Sequence, residues 1–464
     1  MRTLQRSVFL AWLGSCAAVA QISHFEHIVV IFQENRTPDN LFQGLCRAPV
    51  GSADSCSPTP QTGQYNIQTR NWLDRHSTTG VTQPGIVALA NKYDLSHAHT
   101  AFLAQCDRDT LTGACQMDGA GDVKCSGTCP AKPQFRYVDN AGGILNPYLE
   151  LAKGYGWANY MFQTNQGPSF PAHQFIFGGT SAPTAEDDAK GVFASENMSG
   201  TGKVAGCTAE AGTTVEVIAP GGENQKIYPC FEHATMADLL SSDKTWRYYA
   251  PNAIQHICQS TGPGGTCAGS GWAANVDLKP ADVLSDIAAC KLRNLSWVIP
   301  AGYNSDHARG NDGGGPSWVA SIVNAIGNNP ACKDGETYWD NTAIVITWDD
   351  WGGWYDHESP TFLAEPQGDY QYGFRVPMIV VSAYTPAAYV NNDRLDFGSI
   401  LRFVEKNFGI EEGALNFADA RSAKDMSPFF NLTQPPRAFT TIPARFDAEH
   451  FLRDTSAPLD TDDD

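Results

Sequence analysis

The sequence predicts an α/β protein, a three-layer sandwich built on a mainly parallel central sheet. Three observations carry that expectation. Five segments are short, continuous and apolar, as strands buried on both faces should be; helix candidates fall between them; and two of the strand candidates run directly into carboxylates and amides.

In chain order the strand candidates are residues 27–32 (HIVVIF), 246–250 (WRYYA), 295–300 (LSWVIP), 342–347 (TAIVIT) and 377–383 (PMIVVSA). The helix candidates are residues 146–156, 235–242, 317–327 and 398–409, and this alternation is the signature of strand–helix–strand units. Two long stretches, 43–145 and 184–232, hold most of the Gly, Pro and Cys and read as irregular, disulfide-braced loops over the site. No internal repeat or Pro- or Ser-rich linker divides the chain, so residues 21–440 are expected to form a single domain. Residues 441–464 follow as a C-terminal extension ending in a solvated TDDD tail.

Residues 1–20 read as a secretory signal: Arg2 and Arg6 precede an apolar segment, and Ala18-Val19-Ala20 supplies the small-residue cleavage pattern. The expected location is secreted or periplasmic. A lipoprotein reading of Leu13-Gly14-Ser15-Cys16, with Cys16 lipidated, is the alternative. Cleavage after Ala20 would remove one of the 13 cysteines and leave an even number, as an oxidising compartment favours. Cys125 and Cys129 have no second pair at zinc-site spacing, so loop-stapling disulfides are the better reading. No apolar segment reaches the roughly 20 residues that a membrane span needs. The net charge of −19 argues against a general nucleic-acid or anionic-membrane binder.

The chemistry concentrates where strands end. HIVVIF leads into Glu34 and Asn35, and TAIVIT leads through Trp348 into Asp349 and Asp350. In open α/β sheets ligands bind beyond the carboxyl ends of the strands, so these four residues are expected at one shared site. Adjacent carboxylates repel, and burying them is costly unless a cation or protons neutralise them. Their hard oxygens suit one divalent cation, with magnesium, calcium or manganese favoured. Read singly, each is as well explained as a cap or a surface charge. A third stretch, GPSFPAHQF at 167–175, holds Ser169 between prolines that restrict the backbone and could present its hydroxyl rigidly. No G-x-S-x-G elbow, H-E-x-x-H or phosphate loop accompanies it. Asn35, Asn197, Asn294 and Asn431 begin glycosylation sequons, the first read as a chance match.

These stretches, together with YDLSHAH, CQMDGA, SWVIPAGYNSDH, WDDWGGWYDH, YGFRVPMIVVS and DFGSILRFVEKNFG, resemble in order and character the secreted phosphoesterase family that contains bacterial phospholipases C and acid phosphatases. The resemblance runs from about residue 24 to about residue 430 and implies an alkaline phosphatase-like fold. It implies metal ligation by Glu34, Asn35, Ser169, Asp349 and Asp350, with Ser169 also the nucleophile. It implies that His97, His307 and His357 hold phosphate oxygens or assist the leaving group. Phospholipase C members often carry Asp-Glu-Asn where this chain has Asp349-Asp350-Trp351. The implied reaction is phosphoryl transfer through a phosphoserine, on a phosphate-ester small molecule or a phospholipid headgroup. A broad phosphomonoesterase is the leading expectation, a phospholipase C the alternative, and a non-catalytic phosphate- or sugar-binding protein the third reading. His173 could approach Ser169 on a helix, but a structural role is its leading reading, and Arg36 and Arg375 could bind phosphate. Trp348, Trp351, Trp354 and Tyr355 read as core packing ahead of a cation–π cage.

Overall fold

The computed structural model describes residues 24–455 apart from 47–54, 198, 200–208, 220–221, 232, 252–258, 261–266, 269, 331, 333–336 and 361–371. The signal segment with Cys16 and the TDDD tail lie outside the described residues.

Eight strands form the main sheet: β1 (His27–Gln33), β2 (Gly156–Met161), β3 (Trp246–Tyr249), β4 (Val276–Asp277), β5 (Leu295–Val298), β6 (Thr342–Trp348), β7 (Met378–Val381) and β8 (Tyr389–Leu395). Their order is β4-β3-β5-β1-β6-β7-β2-β8. Every pairing is parallel except those of β7 with β6 and β2, so β7 alone runs against the rest of this sheet. All five strand candidates lie in it, and the α/β class with a mainly parallel sheet holds. Ile28 to Phe32 are at most 1% exposed, because helices cover β1 on both faces and leave no polar side to alternate with. The sequence reading missed β2, β4 and β8. β4 has two residues and β8 (YVNNDRL) alternates with polar side chains at the sheet's edge, so neither shows a continuous apolar run.

The longer helices are α1 (His99–Cys106), α2 (Asn146–Gly154), α3 (Ser169–Gly178), α4 (Gly315–Gly327) and α5 (Phe397–Phe408). Helix α2 packs with α4, and α3 packs with α5. The 235–242 candidate is helical only at Met236–Leu239, opened by a Thr235–Asp238 capping box. The first loop insertion is more regular than expected: it contains α1 and three small two-stranded pairings. Among the described residues, disulfides join Cys46–Cys56, Cys106–Cys115, Cys125–Cys129 and Cys290–Cys332.

Helix α5 carries a pH-sensitive element. Glu405 Oε2 accepts from the Gly413 amide at 2.7 Å and Oε1 from the Ala414 amide at 3.1 Å. Burial, with the Asp419 carboxylate beside it, pushes the Glu405 pKa from 4.5 to about 8. The native state therefore holds a proton that the unfolded chain releases. The resulting stability is complete below about pH 4.5 and is lost as pH rises to about 8. Urea unfolding at the two ends of that window should show a decline that is smaller in Glu405→Gln; an unchanged decline would place its cause elsewhere.

Candidate active site

The register of β1 against β6 assembles the site. Gln33 pairs with Trp348, which sets Glu34 and Asn35 beside Asp349 and Asp350 as both chains leave the sheet. The ladder continues past the strands: the Asp349 amide donates to Gln33 O at 3.0 Å and the Arg36 amide to Asp350 O at 3.0 Å. Asn35 sits at φ 58°, a left-handed conformation that surrounding structure must hold in place. Arg36 supplies part of that hold, donating through Nε to Asp306 O at 2.9 Å and through Nη2 to Leu89 O at 3.1 Å, over the Trp354 ring. It is a buried strut rather than a phosphate ligand. Gly352 supplies another part. Its φ is +61°, and a Cβ there would stand 2.4 Å from Asn35 O. Gly352→Ala should therefore cost about 1–3 kcal/mol; a melting temperature equal to wild type would contradict this close packing.

Glu34, Asn35, Ser169, Asp349 and Asp350 are all 0% exposed. The Asn35 amide donates to Asp349 Oδ1 at 3.1 Å. Ser169, the first residue of α3, donates its hydroxyl to Asp350 Oδ2 at 3.3 Å, while Asp350 Oδ1 accepts from the Gly352 amide at 2.7 Å. His173 Nε2 lies 3.5 Å from Glu34 Oε1 and 3.8 Å from Asp349 Oδ2. Glu34, His173 and Asp349 each offer a ligand atom within 4.8 Å of the others. The set fits a divalent cation: three fully buried carboxylates are gathered there, and the Asn35 Oδ1 oxygen is buried with no hydrogen-bond donor.

His173, whose leading reading from the sequence is structural, is the residue that the structure adds to the cluster. Its signal was the four-residue spacing from Ser169, which places both on one helix face. Pro171 falls in the first turn of α3, where proline costs no intrahelical bond.

The structure brings two of the three expected histidines to the cluster's edge. His97 Nδ1 faces Leu95 O at 2.9 Å, and Asn35 Nδ2 faces His97 Nε2 at 3.1 Å. A carbonyl only accepts, so Nδ1 carries a proton toward Leu95 while Nε2 faces the Asn35 amino group. His307 stacks edge-on to it, with ring centroids 5.9 Å apart, and its Nδ1 faces Ala308 O at 2.7 Å. His357 is engaged elsewhere. Its Nδ1 meets Asp39 Oδ2 at 2.7 Å and its Nε2 meets Asn66 Oδ1 at 2.7 Å, which leaves no ring nitrogen to turn toward the carboxylates. It belongs to a buried network in which Arg375 forks onto Asp356 at 3.1 and 2.9 Å. Arg375 is thus structural as well.

The aromatic residues around the acidic pair are core. Trp348, Trp351, Trp354 and Tyr355 are each 0% exposed. Trp351 packs on Phe374 at 5.3 Å and Tyr355 stacks on Trp72 at 4.6 Å, so they form the floor under the site rather than an open cage. Asp306, beside His307, accepts from the Tyr148 hydroxyl at 2.9 Å and Trp348 Nε1 at 3.0 Å; burial pushes its pKa up to about 6.

Fold and site together define a class: an α/β protein whose parallel strands deliver a buried carboxylate centre at their carboxyl ends, faced by a serine that opens a helix. The chain belongs to the phosphoesterase family, whose model matches residues 25–411. It is 24% identical to the non-hemolytic phospholipase C of Burkholderia pseudomallei over 91% of this chain and 61% of that one. It is 22% identical to the hemolytic phospholipase C of Pseudomonas aeruginosa over 91% of this chain and 58% of the relative. With phospholipase C A of Mycobacterium tuberculosis it shares 26% identity over 34% of this chain and 33% of the other. The chain thus spans about 60% of the length of the relatives it matches along most of its own length. A solved structure described as a protein in the alkaline phosphatase superfamily from Vibrio parahaemolyticus overlaps 61% of this chain and 66% of its own, at 10% identity and a TM-score of 0.31.

Proposed function

We propose that the chain is a metal-dependent phosphoesterase that hydrolyses phosphate esters through a phosphoserine at Ser169, within a single catalytic domain over residues 21–440. The observation that carries this reading is the Ser169 hydroxyl held 3.3 Å from Asp350 Oδ2, inside a buried carboxylate cluster. Glu34, Asn35, Asp349 and Asp350 are the proposed cation ligands, with Ser169 beside them and His173 added as a nitrogen donor. Magnesium, calcium or manganese suits the oxygens, and His173 widens the choice to metals that accept imidazole. Such an ion supplies positive charge that favours the ionised serine and offsets the charge of the phosphoryl group.

The protein's own residues do the rest. Asp350 orients the Ser169 hydroxyl, and the positive end of the ten-residue α3 favours its anionic form. The Ser169 hydroxyl gives its proton to Asp350 Oδ2, the Oγ–phosphorus bond forms as the bond from phosphorus to the alcohol oxygen breaks, and the departing oxygen takes a proton. His97, which faces Asn35 through Nε2, and its neighbour His307 are the groups proposed to supply that proton. Water then cleaves the phosphoserine. His357 takes no part in these steps.

The preferred substrates are phosphomonoesters. Phosphodiesters of the phosphatidylcholine type are the second reading, favoured by the phospholipase C names of the similar proteins. A secreted or periplasmic location accords with the four described disulfides. No helix among the described residues is long and apolar enough to cross a membrane.

The test is hydrolysis of p-nitrophenyl phosphate, its bis-ester and p-nitrophenyl phosphorylcholine, with and without chelator. Chelator-sensitive turnover is expected, fastest on the monoester; faster turnover of phosphorylcholine would select the phospholipase reading. No turnover on any of the three after resupply of several divalent cations would sink the catalytic reading.

A further inference from the structure

We infer that Asn197 is a substrate-binding residue whose side-chain amide nitrogen donates a hydrogen bond to an oxygen of the phosphate ester held at Ser169. This rests on the phosphoesterase reading and names a specificity group that lies outside the carboxylate and histidine set.

The second loop insertion is anchored on the nucleophile. A Cβ on Gly167 would stand 2.0 Å from Ser195 O, so the chain around Ser195 lies directly against the approach to α3. Glu196 Oε1 accepts from the His99 amide at 2.8 Å, which ties the same segment to the start of α1, two residues beyond His97. Asn197 Oδ1 accepts from the Phe170 amide at 2.9 Å. Amide groups of a helix's first turn project out of its N-terminal end, so the Asn197 carboxamide stands in front of α3, at the end that Ser169 occupies.

That bond fixes which way the carboxamide faces. With Oδ1 committed to Phe170, the amino group has one orientation, and Nδ2 is buried without a hydrogen-bond partner. A donor buried and unmet is costly, and an arriving phosphoryl or ester oxygen is the acceptor that would meet it. The need is sharpened by the helix itself. The Phe170 amide is already used and Pro171 has none, so two of the first-turn amides cannot serve an anion, and Asn197 Nδ2 takes their place.

The test compares Asn197→Ala with Asn197→Asp in the full, metal-replete protein. The aspartate keeps an oxygen for the Phe170 amide but replaces the donor with a negative charge. Both variants should lower kcat/KM for p-nitrophenyl phosphate by on the order of 10- to 100-fold and weaken competitive inhibition by inorganic phosphate in parallel. The aspartate should be at least as impaired as the alanine while melting at the wild-type temperature. An aspartate variant with wild-type turnover and phosphate inhibition overturns the inference, whether or not the alanine is impaired, because the residue would then be only a helix cap. A wild-type protein that neither turns over the ester nor binds phosphate overturns both this inference and the phosphoesterase reading.

Discussion

Ser169→Ala should lower the hydrolysis of p-nitrophenyl phosphate by at least about 10³-fold while leaving the protein folded. The hydroxyl is completely buried, opens α3, and donates to Asp350 within the carboxylate cluster, so its removal deletes the atom that would bond to phosphorus. Little else should change. Alanine is a good residue for a helix start, and Asp350 keeps the Gly352 amide on its other oxygen, so the stability cost should be about 1 kcal/mol. Acid-quenched wild-type protein incubated with a ³²P-labelled ester should carry label on serine, and the variant should carry none. A variant that turns over within a few-fold of wild type would remove Ser169 from the nucleophile role. It would leave the carboxylate centre to act on water directly.

The second large effect concerns the cation. Chelation should destabilise the wild-type protein, because Glu34, Asp349 and Asp350 would be left together at 0% exposure. Resupplying an ion at about 100 times its dissociation constant should restore about 2.7 kcal/mol. Asp349→Asn makes a sharper test. The amide keeps an oxygen for the Asn35 backbone amide and turns its nitrogen toward the side where Asp349 Oδ2 now faces His173, so the shape is conserved while one charge is lost. In the absence of metal this variant should be more stable than wild type by about 1 kcal/mol, since it relieves repulsion without leaving a void. With metal present it should gain much less than wild type does. Thermal unfolding with and without manganese checks both halves. A variant that is less stable than wild type in chelator would mean that the cluster is neutralised within the protein, with His173 as the obvious counter-charge.

Much of this was legible in the one-dimensional pattern, and the reason lies in which residues carry it. Strands covered on both faces must be continuously apolar, so β1, β5, β6 and β7 stand out against any background. Carboxylates placed immediately after two such runs cannot be explained by packing, and that made Glu34, Asn35, Asp349 and Asp350 visible as a group. Helix α3 was less visible, because Pro171 falls within its first turn, and His173, though four residues from Ser169, read first as structural.

The expectation for His357 shows the opposite failure. Its surroundings in the sequence, close after the acidic pair, suggested the same pocket, but the Gly352-Gly353 turn takes the chain away to Asp39 and Asn66. Proximity along the chain did not survive two successive positive-φ residues. The tryptophans beside it were correctly read as core, since rings of that size bury more area than a polar site could replace.

By itself, then, the sequence determined the layer architecture and the chemical character of the site, because both follow from local burial and from the cost of placing charge next to apolar strands. Tertiary structure alone decided which groups meet. The one-residue register between Gln33 and Trp348 sets the carboxylates side by side, the turn of α3 adds His173, and the loop insertion brings Asn197 to the end of that helix. Each of those meetings joins residues far apart in the chain. Such contacts are selected by the packing of the whole molecule, and no local pattern records them.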